Sequence, residues 1–410
     1  MLDRQRCEWE TDIMLEGLKV VEYATYIAAP GAAGIMADWG ASVIKVEPPG
    51  GDPIRMFFAS VGVERDGNPV FDMDNRGKRA IILDTAKETG REALLRLIAD
   101  ADIFLTNVRP GGLKRAGLDH ETLLGQFPRL IYASVTGYGL DGPDADRPGM
   151  DSASFWARSG LAAMFSPKDG DPIALRTAFG DHVASMATVA GVLAAVHERN
   201  VTGRGRLVEA SLLRTAHYAA GSDLALQHGI GRVSSNKARK QAPQPLINFF
   251  KSSDGRWVSL LTRQGEKDWP KLARALGVPE LAADERFINA KTRRANAEAL
   301  TALLDDVFAR YSLAELTARL DAEEMIWSPV LLPREAAADP QAIAAGCVVQ
   351  TPTHDGGFMN APASPVRFPG ADDGPKGPSP RPGEHTRAVL AEAGYSQAEI
   401  DAMYASGAAA

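Results

Sequence analysis

An α/β fold with a mostly parallel sheet, joined to a smaller second domain, is what this 410-residue sequence predicts. Across roughly the first third of the chain, short β-branched segments alternate with helical ones, the pattern of βαβ units. The strand segments are almost continuously apolar, as befits a sheet covered on both faces. Past a polar, proline-containing linker at 236–245 the pattern changes to a hairpin followed by helices.

The elements follow in order. Residues 18–24 (LKVVEYA) read as a buried strand and 30–40 as a helix closed by Gly40. Residues 41–47 (ASVIKVE) and 79–84 (RAIILD) are the next two strands. Ala93, Leu94, Leu97 and Ile98 recur at helical spacing within 87–101. Strands at 103–108 and 130–136 complete the set. From 182 to about 229 the chain reads as helical: one helix over 182–200, another over 209–227 with Leu212, Leu213, Ala216 and Ala220 on one face. A second, smaller domain spans 230–330. It has a hairpin at 247–251 and 256–261, then helices at 269–276, 293–311 and 313–324. Residues 362–382 form a proline- and glycine-rich arm, and short helices at 386–393 and 396–405 follow.

Composition narrows the function. The apolar and charged fractions, 45% and 24%, are those of a globular protein. A net charge of −7 without a basic run argues against nucleic acid or an anionic membrane as partner. Cys7 and Cys347 are the only cysteines, so no disulfide framework and no thiolate zinc site is expected, and a reducing, cytoplasmic setting fits. The first fourteen residues are charged and do not read as a signal peptide. No uninterrupted apolar run approaches the length of a membrane span.

Candidate chemistry gathers in loops after strands. Asp181 follows Gly180 at a helix start, where free N–H groups and the positive helix end hold a carboxylate ionised. Such an aspartate is either a cap or a nucleophile. Asp151, before SASFWARSGL at 152–161, is likewise either a helix cap or a second active-site carboxylate. His182 adjoins Asp181, but neighbouring helical residues point about 100° apart. The small residues from Ala28 to Gly34, with Glu47 ending the second strand, imitate a dinucleotide fingerprint without matching GxGxxG. The segment 106–115, with Asn107, Arg109, Lys114 and Arg115 around Gly111-Gly112, reads as a flexible loop, either suited to phosphate or simply solvated and basic. Phe155 and Trp156 read either as core or as substrate pocket, and if they lie near the pocket, they and Met164 suggest an apolar or aromatic substrate acid.

Taken together, these segments resemble class III CoA-transferases, the family of formyl-CoA:oxalate and carnitine CoA-transferases. The resemblance is carried by LEGLKV at 15–20, DWGASVIKVEP at 38–48 with GDPIR at 51–55, and NRGKR at 75–79. GGL at 111–113, SVTGYG at 134–139, Gly180-Asp181 and TGRG at 202–205 complete it. GMDSASFWARSG and FGDH look most like the transferases of aryl-lactates and cinnamates. The resemblance implies a Rossmann-like large CoA-binding domain (1–229 and 331–410), a small domain (230–330) and an interlocked homodimer. It implies no permanently bound cofactor and no metal; coenzyme A and acyl-CoA are substrates, with a carboxylic acid as acceptor. The nucleophile falls on Asp181, with Asp151 where the oxalate enzyme has an active-site glutamate. CoA contacts fall on Tyr26, Ile27, Ala28, Leu83, Asn107, Val108 and Arg115. Pro48 replaces an arginine of the oxalate enzyme, a loss that Arg55, Lys78 or Arg109 is expected to cover. That enzyme's glycine-rich lid has no counterpart between Asn236 and Phe250, which disfavours oxalate. An α-methylacyl-CoA racemase is the alternative within the fold, but its histidine before the Asp151 position is Met150 here, which takes no proton. A non-catalytic CoA- or dinucleotide-binding protein is the alternative of another class.

Overall fold

A computed structural model describes residues 14–63, 67–168, 170–233, 236–262 and 265–410. The charged N-terminal stretch with Cys7 lies outside the described residues. The chain divides into two compact units. The larger holds residues up to 162, then 173–233 and 340–410; the smaller holds 163–172 and 234–339.

The larger unit is built on a six-stranded parallel sheet. Its strands are β1 (Lys19–Tyr23), β2 (Ser42–Glu47), β3 (Arg79–Ile82), β4 (Ile103–Thr106), β5 (Ile131–Thr136) and β6 (Leu207–Ser211). The order β3-β2-β1-β4-β5-β6 is that of doubly wound nucleotide-binding sheets, and it reverses between β1 and β4. Val20 faces Ile103 and Ile131 faces Ile103, so the three central strands run in register. Both faces are covered: Phe104, Leu94, Leu97, Tyr132 and Val389 pack into one continuous core. On another layer the first helix, Ala28–Asp38, lies against the long helix Phe179–Thr202.

β6 corrects the sequence reading, which ran a helix over 209–227. The helical face of 212–220 extended backward across Leu207–Ser211, whose residues pair with β5. The true helix start is marked by Ser211, whose side chain accepts from the Arg214 N–H. The chain then continues as helices Leu212–Ala219 and Gly221–Ile230. The expected helix at 152–161 is a single π-helical turn, Asp151–Ala157. A two-stranded hairpin, β10 (Val348–Pro352) with β11 (Phe358–Pro362), was not foreseen; it ends both strands on proline and shows little apolar alternation.

The long helix Phe179–Thr202 is long and apolar enough to cross a membrane by length and composition, with a mean hydropathy of 1.4. Here it packs against the first helix, β5 and β6. Its apolar residues are spaced by Asp181, His182, Glu198 and Arg199, so no uninterrupted run flagged it.

The smaller unit carries an antiparallel sheet of β7 (Ile247–Lys251), β8 (Trp257–Leu261) and β9 (Ile326–Pro329). Trp269, Phe287 and the stacked pair Phe250–Phe308, 4.6 Å apart, fill its core. The helix expected over 293–311 breaks at Asn296 into Ala290–Ala295 and Ala297–Phe308.

Candidate active site

At the carboxyl ends of β1, β4 and β5 the larger unit opens a cavity of about 640 Å³. This is the switch point of the sheet, where parallel α/β folds place their ligands. Tyr26, Ile27, Ala28, Asn107, Asp151 and Asp181 all line it.

Two backbone features shape the wall. Tyr26 and Ala178 have φ of +65° and +64°, a left-handed conformation costing about 1–2 kcal/mol in residues other than glycine. Each stands just before a helix that no side chain caps, the first helix and the long helix. Two helix starts without side-chain caps thus border one cavity; the Phe179 N–H is taken by Arg176 O and Pro30 has none, and the remaining first-turn N–H groups suit an anion or oxyanion. The Tyr26 turn is held from below. Asp52 accepts its N–H at 3.0 Å and also pairs with Lys45 at 2.8 Å. Lys45 in turn meets Glu22 at 2.7 Å, and Glu22 meets Lys78 at 2.7 Å. All four charges are buried, so each is paid for only by its partners.

Asp181 is the third residue of the long helix, behind Phe179 and Gly180. A Cβ on Gly180 would stand 2.6 Å from Phe155 Cγ, so only glycine lets the helix start seat against that ring. Ser185 Oγ lies 2.9 Å from Asp181 O and 2.7 Å from Ala28 O, tying the nucleophile's turn to the first helix. The side chain is not a cap, and among the described residues it accepts no hydrogen bond. The expectation that a helix cap keeps it ionised is therefore corrected. Burial pushes the Asp181 carboxyl up to about 7, and the nearby Asp151 charge adds to the rise.

Asp151 reaches the cavity because Gly137 and Gly149 touch backbone to backbone. A Cβ on either would stand 2.6–2.7 Å from the other's Cα. That approach lays Met150 and Asp151 over the end of β5. Asp151 Oδ1 accepts the Ser152 N–H at 2.6 Å, while Oδ2 is buried without a partner among the described residues. His182 turns away. Its Nε2 lies 3.2 Å from Asp74 Oδ1, at a separate 120 Å³ pocket. Burial alone would lower the His182 pKa, but the Asp74 hydrogen bond and charge outweigh it and raise it.

Other expected residues separate. Asn107 pairs with Thr25 through both side-chain atoms, joining β1 to β4 at the cavity floor. Val108 packs toward the core, and Leu83 is buried and bridged to Ala409. The glycines at 111 and 112 form a helix, Pro110–Ala116, instead of a flexible loop. Gly111 N–H is taken by Asp146, and Lys114 and Arg115 are exposed on the last turn. Lys78 is buried on Glu22 and Arg55 is held by Glu47, which leaves Arg109, on the cavity wall, to face a ligand. Glu47 is thereby committed, and Gly31 and Gly34 abut Ser185 and Asp74. The apparent dinucleotide fingerprint is helix packing. Phe155 is core beneath Gly180, and Trp156 donates to Ile173 O; neither lines the cavity. Met164 belongs to the smaller unit. Sequence reasoning missed Ile54, Phe57, Leu175, Arg147 and Arg176 on the wall. Only the GDPIR motif at 51–55, which contains Ile54, hinted at the first of them. Among the described residues no cluster of three metal-ligating side chains occurs.

Comparison with known proteins agrees with this architecture. The model of CoA-transferase family III matches residues 15–386, and the chain belongs to that family. It is 33% identical to (R)-2-hydroxy-4-methylpentanoate CoA-transferase of Clostridioides difficile, over 95% of this chain and 98% of that one. Cinnamoyl-CoA:phenyllactate CoA-transferase of Clostridium sporogenes is also 33% identical, over 95% of this chain and 96% of its own length. A CAIB/BAIF family protein from Brucella suis superposes with a TM-score of 0.81 at 32% identity, covering 92% of this chain and 98% of that one.

Proposed function

We propose that this protein moves CoA from an acyl-CoA donor to a carboxylic acid acceptor, with Asp181 as nucleophile. The observation that carries the reading is a half-buried, unbonded carboxylate at an uncapped helix start inside the switch-point cavity. Asp181 attacks the thioester carbonyl, the C–S bond breaks and CoA thiolate leaves an aspartyl–acyl anhydride. The thiolate attacks the aspartyl carbonyl, breaking its bond to the acyl oxygen; the donor acid departs and aspartyl-CoA remains. The acceptor carboxylate attacks aspartyl-CoA and releases thiolate again. That thiolate takes the acceptor acyl group from the new anhydride and regenerates the Asp181 carboxylate. Each step exchanges acyl groups of similar energy, so no ATP is consumed, and covalent catalysis divides one hard step into easier ones. The first-turn N–H groups of the two helices suit the oxyanions. Asp151, at the same wall, serves as the second active-site carboxylate.

Tyr26, Ile27, Ala28 and Asn107 hold the CoA arm at the cavity in this reading. Leu83, Val108 and Arg115 lie outside that wall, after β3 and β4, where the adenosine end continues along the sheet edge. The larger unit is the Rossmann-like CoA-binding body, and the smaller unit completes the fold. The named relatives act on aryl and branched 2-hydroxy acids. Ile54, Phe57, Met150 and Leu175 on the wall support an apolar acceptor here. The reading includes a cytoplasmic, interlocked homodimer, which light scattering would show as twice the chain mass. Racemisation is disfavoured because Met150 supplies no second base.

Mass spectrometry after acyl-CoA incubation is expected to find a CoA adduct on Asp181, absent in Asp181→Asn. Modification elsewhere overturns the assignment. A screen of acceptor acids against one labelled donor tests the substrate class; a preference for small dicarboxylates would refute an apolar acceptor.

A further inference from the structure

Three arginines line the cavity that holds Asp151 and Asp181: Arg109, Arg147 and Arg176. Arg147 leans toward Asp144 at 3.5 Å and over the Tyr138 ring, on the loop before Asp151. Arg109 precedes the helix Pro110–Ala116 beyond β4, on the Asn107 side of the cavity. Arg176 stands elsewhere. It lies five residues before Asp181, and its carbonyl accepts the Phe179 N–H at 3.3 Å. It therefore sits in the turn that delivers Ala178 and the nucleophile. Its side chain is exposed, with no ion pair or hydrogen bond among the described residues.

Two kinds of anion enter such a cavity during CoA transfer: the phosphates of CoA and the carboxylate of the acceptor. The pantetheine arm separates the phosphates from the thioester, so a cation in the nucleophile's own turn is badly placed for them. The acceptor carboxylate must come within bonding distance of the carbonyl carried by Asp181. On the way it meets Asp151, a like charge in a partly desolvated wall, and that approach is unfavourable without a cation.

Resting on the CoA-transferase reading, we propose that Arg176 anchors the acceptor acid and selects monocarboxylates with an apolar body. The guanidinium holds one carboxylate oxygen while the other attacks the aspartyl-CoA carbonyl. As the anhydride forms, the negative charge leaves with the CoA thiolate. Arg176 then loses its partner, and the acyl group is free to be taken by that thiolate. Leu175, Ile54, Phe57 and Met150 surround the rest of the acid. A second carboxylate on the substrate would be left beside Asp151, with Arg109 away on the Asn107 side of the cavity where CoA lies.

The test separates the two half-reactions, because the donor thioester carries no carboxylate. In Arg176→Gln the Asp181–CoA adduct is expected to form from donor acyl-CoA as in the wild type. The KM for the acceptor should rise roughly ten- to a hundredfold, the loss expected for one charge-assisted contact. The KM for the donor should stay within about twofold. Arg176→Lys should recover part of the acceptor affinity, and Arg109→Gln should raise the acyl-CoA KM instead. An unchanged acceptor KM in Arg176→Gln overturns the anchor, as does a rise confined to acyl-CoA or loss of the adduct. Absence of the adduct in the wild type refutes the CoA-transferase reading itself, and the anchor with it.

Discussion

Asp181 is a carboxylic acid poised near neutrality, and two pH effects follow. Burial and the Asp151 charge raise it from 3.8 to about 7, so near pH 7 only about half the molecules carry the nucleophilic anion. Enzyme acylation by a donor acyl-CoA should therefore rise with pH, with a midpoint near 7. Rapid-quench measurement of the adduct from pH 5 to 9 checks this; a flat profile would mean an Asp181 ionised throughout. Stability should move the opposite way. With its native pKa above the unfolded value, the group's contribution is complete below about pH 4 and is lost as pH rises through 7. His182, also raised, contributes in the same direction. Asp181→Asn removes the first of these costs. It should gain roughly 1–3 kcal/mol over the wild type between pH 5 and 8, less than the full shift implies because the cavity still admits solvent. Urea unfolding at both pH values decides it; equal gains at both would refute the linkage. At this scale the sequence located the aspartate but misjudged its charge state, because protonation depends on burial by groups distant in the chain.

The helix start carrying Asp181 is set by a single steric fit. In Gly180→Ala the new Cβ would meet the Phe155 ring at 2.6 Å, deep in the core. Overpacking of this kind costs about 1–3 kcal/mol. Displacing the nucleophile should lower the acylation rate on the order of a hundredfold. Adding Phe155→Leu should restore part of both, measured by thermal unfolding and adduct formation; no recovery would place the fault elsewhere. Ala178→Gly probes the adjoining strain. Relief of its left-handed φ of +64° should stabilise the protein by about 0.5–1 kcal/mol in chemical denaturation. Loss of stability would show that the strain is illusory. Five strands of the large sheet were legible because β-branched runs alternate with helical spacing. β6 was not, since five residues before an amphipathic helix carry too little pattern of their own.

Across the whole molecule, the motifs most visible in sequence turn out to be buried scaffolding. Glu22 of β1, Lys45 of β2, Asp52 and Lys78 form one chain of ion pairs, and Glu47 of β2 with Arg55 forms another, joined by the Asp52 N–H donated to Glu47. Arg55 also donates to Pro380 O, and Arg76, paired separately with Asp38, donates to Pro362 O, so both arginines dock the returning C-terminal arm. Lys45→Ala would leave Glu22 and Asp52 facing each other's side of the core with one fewer cation. A loss of about 3–5 kcal/mol is expected from denaturant midpoints, and a loss below about 1 kcal/mol would mean that water reaches the pair. Sequence by itself determined the fold class, the parallel sheet and the carboxylate at the long helix, because periodicity and strand composition are local properties. Only the tertiary structure decided which charged residues face the cavity. Lys78 is held by Glu22 and Arg55 by Glu47, while Arg109 and Arg176 remain open to a ligand. That choice depends on which side chains the packed chain brings within a few ångströms, and no local pattern encodes it.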